Sequence, residues 1–286
     1  MKNRSFFKRL NGYAAFLGRI LVVMIVYGIA AVVYEEVLIV SEKLPSIIAV
    51  TLAVFAQLFI CLMGFFWGAR DEKKTLKSYG IYWQPQDWSK LLLGLGMGAA
   101  AILVICVPLY ASGIFHISPG QAGSEKMAVQ FIFFTGVGVI EECLCRGFLL
   151  HSFIRWGSLL ALVVSSALFS LLHLGNPGIS ALAILNLFLA GIFMGAAMQA
   201  ANSIFTAIGV HITWNWVQGA VLGIPVSGTN SLGYFLTESA NAQPLFTGGT
   251  FGVEGSIICT MGLTLFSAGL LISMRRSGKK LFLQED

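Results

Sequence analysis

The sequence is poor in charge, and poorer still in aspartate. Of 286 residues only 11% are charged, about half the roughly 25% of a soluble domain. The three aspartates, Asp71, Asp87 and Asp286, all fall in hydrophilic stretches, so a pair of aspartates working inside a membrane is excluded. Five cysteines (Cys61, Cys106, Cys143, Cys145, Cys259) form no CxxC pair and lie mostly in apolar runs, which argues against a disulfide framework or a structural zinc site. No GxSxG lies near a membrane histidine, and no HExxH occurs; a serine nucleophile elbow and a zincin helix are thereby set aside. GLGMG at 94–98 lacks the GxGxxG spacing and a preceding strand, so it is no dinucleotide loop. No internal repeat is visible.

What the sequence has is long apolar runs, with 57% hydrophobic residues. Crossing about 30 Å of hydrocarbon takes about 20 apolar residues, and eight runs approach that length: about 14–34, 46–69, 91–115, 127–152, 158–174, 180–201, 204–224 and 253–274. The expected fold is an all-α membrane protein, a polytopic bundle of about eight transmembrane helices. The first run follows the basic MKNRSFFKRL and is too long for the core of a cleaved signal peptide, so it reads as a retained span. With the N-terminus in the cytoplasm, the cytoplasmic segments collect Lys2, Arg4, Lys8, Arg9, Arg70, Lys73, Lys74, Lys77, Lys90, Arg155, Arg275, Arg276, Lys279 and Lys280, against Lys43 and Lys126 outside. That bias predicts cytoplasmic N- and C-termini. It also accounts for the net charge of +5 without a nucleic-acid partner.

GxxxG patterns at Gly94–Gly98 and Gly191–Gly195 suit close helix approach. Tyr82, Trp83 and Trp88 in the connector 70–90 suit an interfacial aromatic belt. Asn186 and Gln199 are candidate interhelical hydrogen-bond partners. His116 reads as a residue of an external loop and His151 as an interface residue. Glu254 reads as a cap at the start of the last helix, where a carboxylate suits the N-terminus.

Three spans carry ionisable groups at membrane depth, and such residues mark function by default because leaving them unpaired in lipid is costly. They are Glu141, Glu142 and Arg146 in GVIEECLCRGFLL, His173 in FSLLHLGNP and His211 in GVHITWNW. Glu142 and Arg146, at i and i+4, can pair on one helix face, while Glu141 is turned from Glu142 by about 100°. Ser166, Ser170 and His173 form one polar stripe, and His211, Asn215 and Gln218 form another. A buried ion cluster that only fixes packing is the plainer alternative. Counting at 1.5 Å per residue puts Glu141 and His211 low in the membrane, ~21 Å and ~11 Å into their spans, and His173 high, ~23 Å into its span.

Glutamate and histidine together can orient and deprotonate a water for attack on a carbonyl. His211 and Asn215, one turn apart, can donate to a developing oxyanion, with Arg146 holding Glu142. Glu141, His173 and His211 equally make a zinc ligand set with an open fourth position, and ligand type alone does not decide between the two. A transporter or proton relay also uses such residues, but usually shows internal repeats.

EECLCR (141–146), FSLLH (169–173) and HITWN (211–215) resemble, in order and separation, the EExxxR, FxxxH and HxxxN motifs of the CAAX prenyl endopeptidase and bacteriocin-processing (CPBP) family of intramembrane proteases. GGTFGVEGS (248–256) is similar to a late feature of some bacterial members. The resemblance implies an intramembrane endopeptidase acting on a membrane-associated protein or peptide among membrane lipids, in a bacterial cell membrane. It implies Glu141 as general base with His173 as partner, Glu142 and Arg146 as support, and His211 with Asn215 as oxyanion hole. Members are often called metalloproteases, although a metal-free glutamate mechanism is also argued, so either a divalent metal such as zinc or no cofactor is implied. Some relatives are linked to bacteriocin immunity, which makes a non-catalytic scaffold or immunity-type protein the alternative. On this reading residues 1–120 hold helices one to three with the connector 70–90, 121–225 hold the catalytic core of helices four to seven, and 226–286 hold an external loop and the last helix.

Overall fold

A computed structural model describes residues 2–239 and 243–278, with side chains from residue 12 onward. Lys279 and Lys280 of the charge count lie outside the described residues, and the side chains of Lys2, Arg4, Lys8 and Arg9 outside the described side chains. The chain forms two compact units, Met1–Tyr79 and Gly80–Asp286.

The first unit is a helical hairpin, α1 (Lys2–Val40) and α2 (Ser46–Asp71), joined by a short turn that ends at Pro45. The helices pack closely at Gly64, where a Cβ would stand 2.7 Å from Val26 Cγ1.

The second unit begins with α3 (Asp87–Ala111), followed by strand β1 (Phe115–Pro119). Then comes α4 (Ser124–Trp156), α-helical to Glu142 and π-helical over Cys143–Leu149. α5 (Ser158–Leu172), α6 (Ala181–Ala201) and α7 (Ile204–Trp216) follow, α7 continuing as a π-helical turn over Val217–Val221. Strand β2 (Phe235–Ser239) and α8 (Ile257–Arg276) complete it. β1 and β2 pair antiparallel, with His116 opposite Glu238. His116 is therefore exposed, as expected, but on a strand of a two-stranded ribbon in an otherwise helical protein.

Helix ends follow local chemistry. Asn202 takes the left-handed conformation (φ 54°) that stops α6, and the next residue, Ser203, caps α7 by accepting from Phe205 N. Asn and Ser are suited to these two positions, so one break of two residues separates two helices. Ser180 and Ser256 cap α6 and α8 in the same way.

α3 packs on α7, so it belongs with the C-terminal unit, whereas the sequence division groups it with the first two helices. Gly94 and Gly98 make this possible: a Cβ at either would stand 2.2 Å from a carbonyl oxygen of α7, that of Thr206 or Val210. Thr206 and Thr213 then donate across the seam to the carbonyls of Lys90 and Leu95. Gly191 and Gly195 do the same for α6, with virtual Cβ atoms 2.7 Å from Ser166 Cβ and 2.4 Å from Leu162 Cδ1 of α5. Both GxxxG patterns thus mark real close approaches.

Among the described residues, six helices are long and apolar enough to cross a membrane: 12–40 within α1, then α2, α3, α4, α6 and α8. The protein is a multi-pass integral membrane protein. The expected spans five and seven fall short. α5 has 15 residues, about 22 Å at 1.5 Å per residue. α7 has 13 before its π-helical turn. These two short helices carry His173 and His211.

Candidate active site

The site starts on α4. Immediately after Glu142 the helix widens into a π-helix whose seven residues, Cys143–Leu149, are all buried. Such insertions recur at functional sites. His151 lies one turn further, and its Nδ1–H donates to the carbonyls of Arg146 (3.0 Å) and Gly147 (2.8 Å), so it supports this widened turn from within the same helix.

Glu142 and Arg146, both without solvent exposure, form the expected ion pair at 3.1 Å. Arg146 also donates to the carbonyl of Gly191 on α6 (3.0 Å) and lies 4.6 Å from the centre of the Phe169 ring. Glu142 Oε1 accepts a second bond, from His211 Nδ1 at 2.9 Å. This bond joins α4 to α7 and was not legible in the sequence. It assigns the proton on His211: Nδ1–H is committed to a carboxylate, which leaves Nε2 as the working nitrogen.

His173, at the C-terminal end of α5, is arranged alike. Its Nδ1–H donates to the carbonyl of Phe169 (2.9 Å), and Nε2 again points inward. The Nε2 atoms of His173 and His211 each lie 3.9 Å from one atom, Oε2 of Glu141. Phe169 holds this group together, since its ring packs on both imidazoles as well as on Arg146. The conflict of depths in the residue count is thereby removed, since both imidazoles meet the same carboxylate oxygen.

Glu141, His173, His211 and Asn215 line one cavity of about 170 Å³. The rest of its wall is partly apolar, including Phe133, Val137 and Met194. The other members of the two polar stripes do not join the site. Ser170 donates to the carbonyl of Ile184 on α6, Ser166 faces Gly191, and Gln218 donates to the carbonyl of Pro225. Asn186 bonds across helices, accepting from Thr260 of α8, whereas the Gln199 amide has no hydrogen-bond partner among the described residues.

Glu254 also lines the cavity, which corrects its reading as a helix cap. Ser256 caps α8, and the carboxylate of Glu254 turns inward to accept from Trp214 Nε1 (3.0 Å), Ser227 N (2.5 Å) and Ser227 Oγ (2.9 Å). Trp214, Ser227 and Phe169 are the site residues to which sequence reasoning gave no role. Only Phe169 left a signal, one helical turn before His173.

As for a metal, two imidazole Nε2 atoms and a carboxylate are chemically suitable ligands, with both Nδ1 atoms tied to acceptors as ligating histidines usually are. Their spacing is looser than a bound ion requires: among the described residues, no three His, Cys, Asp or Glu side chains group closely enough to hold one.

The family model for type II CAAX prenyl endopeptidase Rce1-like proteins matches residues 123–217, about a third of the chain. No curated protein and no solved structure matches it. The matched segment contains Glu141, Glu142, Arg146, His173, His211 and Asn215, so the part of the chain that builds the site is similar to the type II CAAX prenyl endopeptidase Rce1-like proteins.

Proposed function

We propose that the protein is an intramembrane endopeptidase that hydrolyses a peptide bond of a membrane-associated protein or peptide. The observation that carries this reading is the aim of two imidazole Nε2 atoms at one carboxylate oxygen, Glu141 Oε2, 3.9 Å from each, on the wall of a cavity. A water held between them has its acceptors and donors in place. Glu141 takes a proton as the water oxygen attacks the carbonyl carbon, with His173 orienting the water through Nε2. Asn215 and His211 support the oxyanion that forms. His211 donates from Nε2 as an imidazolium, since its Nδ1–H is committed, and Glu142 supplies the compensating negative charge. The C–N bond then breaks, and the proton on Glu141 passes to the departing amine.

The test compares membrane and secreted proteomes of cells carrying the wild type or Glu141→Gln. General-base catalysis is worth about 10²–10⁴-fold, so cleavage products present in the wild type should vanish while the variant remains inserted and folded. Unchanged processing by Glu141→Gln sinks the mechanism, and a biological effect that persists without cleavage assigns a scaffold or immunity role. Activity is expected to survive exhaustive chelation. Loss on chelation with recovery on zinc addition would instead assign Glu141, His173 and His211 as ligands.

A further inference from the structure

Glu254 is 8% exposed, and its carboxylate meets three donors. One partner, Trp214, stands on the histidine-bearing α7, and the other, Ser227, lies in the loop that follows it. Oε1 accepts from Trp214, which stands on α7 beside Asn215 and three residues after His211. Oε2 accepts from Ser227, whose carbonyl accepts from Asn176 Nδ2 at 2.8 Å. Asn176 in turn donates its backbone N–H to the carbonyl of His173 at 3.0 Å. One oxygen is therefore linked to the His211 helix and the other to the turn that follows His173.

The carboxylate is itself anchored. Asn186 Nδ2 donates to the backbone carbonyl of Glu254 at 2.7 Å. Ser227 sits at φ 47°, an uncommon conformation for a residue with a side chain, which persists where surrounding contacts over-determine it. Glu254 supplies two of those contacts. The backbone nearby is packed to match: a Cβ on Gly228 would lie 2.1 Å from the carbonyl oxygen of Pro177, and one on Gly252 1.9 Å from that of Pro225.

Resting on the hydrolytic reading above, we infer that Glu254 is a positioning residue that sets His173 and His211 about the Glu141 carboxylate, holding Ser227 with one oxygen and Trp214 with the other. An ionised carboxylate only accepts hydrogen bonds. Glu254→Gln keeps the shape but turns an amide N–H₂ toward a donor on one side, so one link breaks.

Two readouts test this, one of them independent of activity. On a substrate found by the proteome comparison, Glu254→Gln should lower kcat by about 10–100-fold, as expected of a displacement near 1 Å, with KM within about threefold. With ¹⁵N-labelled histidine, the imidazole signals of His173 or of His211, according to which link breaks, should move while those of His116 and His151 stay. A purely structural role would lower the melting temperature and leave His173 and His211 no more affected than the other two. Normal kcat with unmoved imidazoles in Glu254→Gln, where Glu141→Gln is inactive, overturns the inference and leaves the hydrolytic reading standing. An active Glu141→Gln removes the hydrolytic reading instead, and the imidazole signals still decide whether Glu254 positions the pair. If Glu254→Gln fails to fold, Trp214→Phe removes the indole N–H together with the pyrrole part of the ring; His211 signals should then move and those of His173 should not, and unmoved His211 signals would overturn the inference.

Discussion

The two units each contain an arginine paired with a glutamate, and the two clusters differ in their access to water. In the N-terminal hairpin, Arg19 of α1 bonds Asp71 (2.7 Å) and Glu72, and Glu72 is further bonded by Lys74 (3.0 Å) and the Tyr79 hydroxyl (2.6 Å). Asp71 and Lys74 remain in water, with side chains 48% and 43% exposed. In the C-terminal unit, Arg146 and Glu142 have no exposure at all, and Glu142 Oε2 and Arg146 Nε lack hydrogen-bond partners among the described residues. A cluster open to water fastens helices at little desolvation cost. A sealed, incompletely bonded one is poor at adding stability, because desolvation can exceed the Coulomb gain. The second cluster is thus better explained by what it holds, the Nδ1–H of His211, than by the stability it adds.

The comparison breaks first at the arginines. Arg146→Ala leaves Glu142 buried without its cation and should cost about 3–5 kcal/mol. Arg19 and Glu72 are themselves largely buried, but Asp71 and Lys74 beside them reach water, so Arg19→Ala should cost less than Arg146→Ala. Reversible unfolding in mixed micelles measures both, and equal losses would end the distinction. Glu142→Gln sharpens it next. The amide can still accept from His211 but carries no charge to balance an imidazolium, so kcat should fall about 10²-fold, roughly 2.7 kcal/mol at 1.36 kcal/mol per tenfold, with the protein still folded. A Glu142→Gln enzyme with normal kcat would reduce this carboxylate to a packing residue.

Much of this was legible in the sequence because helices are local. Residues three or four apart share a face, so the Glu142–Arg146 pair and the close approaches at Gly94, Gly98, Gly191 and Gly195 follow from spacing alone. The same reasoning overreached with Ser166, Ser170 and Gln218, since periodicity tells which face a residue occupies and not what that face meets. The bond from His211 to Glu142 joins residues 69 apart, and the links of Glu254 pass through irregular loops that leave no period. Helix bounds, by contrast, were legible. α5 and α7 were read with nearly their observed bounds, 158–174 against Ser158–Leu172 and 204–224 against Ile204–Trp216 with its π-helical turn over Val217–Val221.

The smallest expected effect lies in the open cluster, and it is a matter of pH. Burial alone would raise the pKa of Glu72, but hydrogen bonds from Tyr79 and Lys74 and the charges of Lys74 and Arg19 prevail and hold it below the ordinary glutamate value of 4.5. The folded hairpin therefore releases this proton at lower pH than the unfolded chain does. Between those two values the unfolded state binds more protons, so stability rises with pH across that window and is fully present above it. Compared with Glu72→Gln, the wild type should show a constant advantage in melting temperature well above the ordinary glutamate value of 4.5, an advantage that shrinks as the pH falls through that value and below. An advantage independent of pH down to 3 would mean that the Glu72 cluster acts through shape and hydrogen bonding rather than charge, and the open cluster would then have lost the electrostatic character that sets it apart from the sealed one.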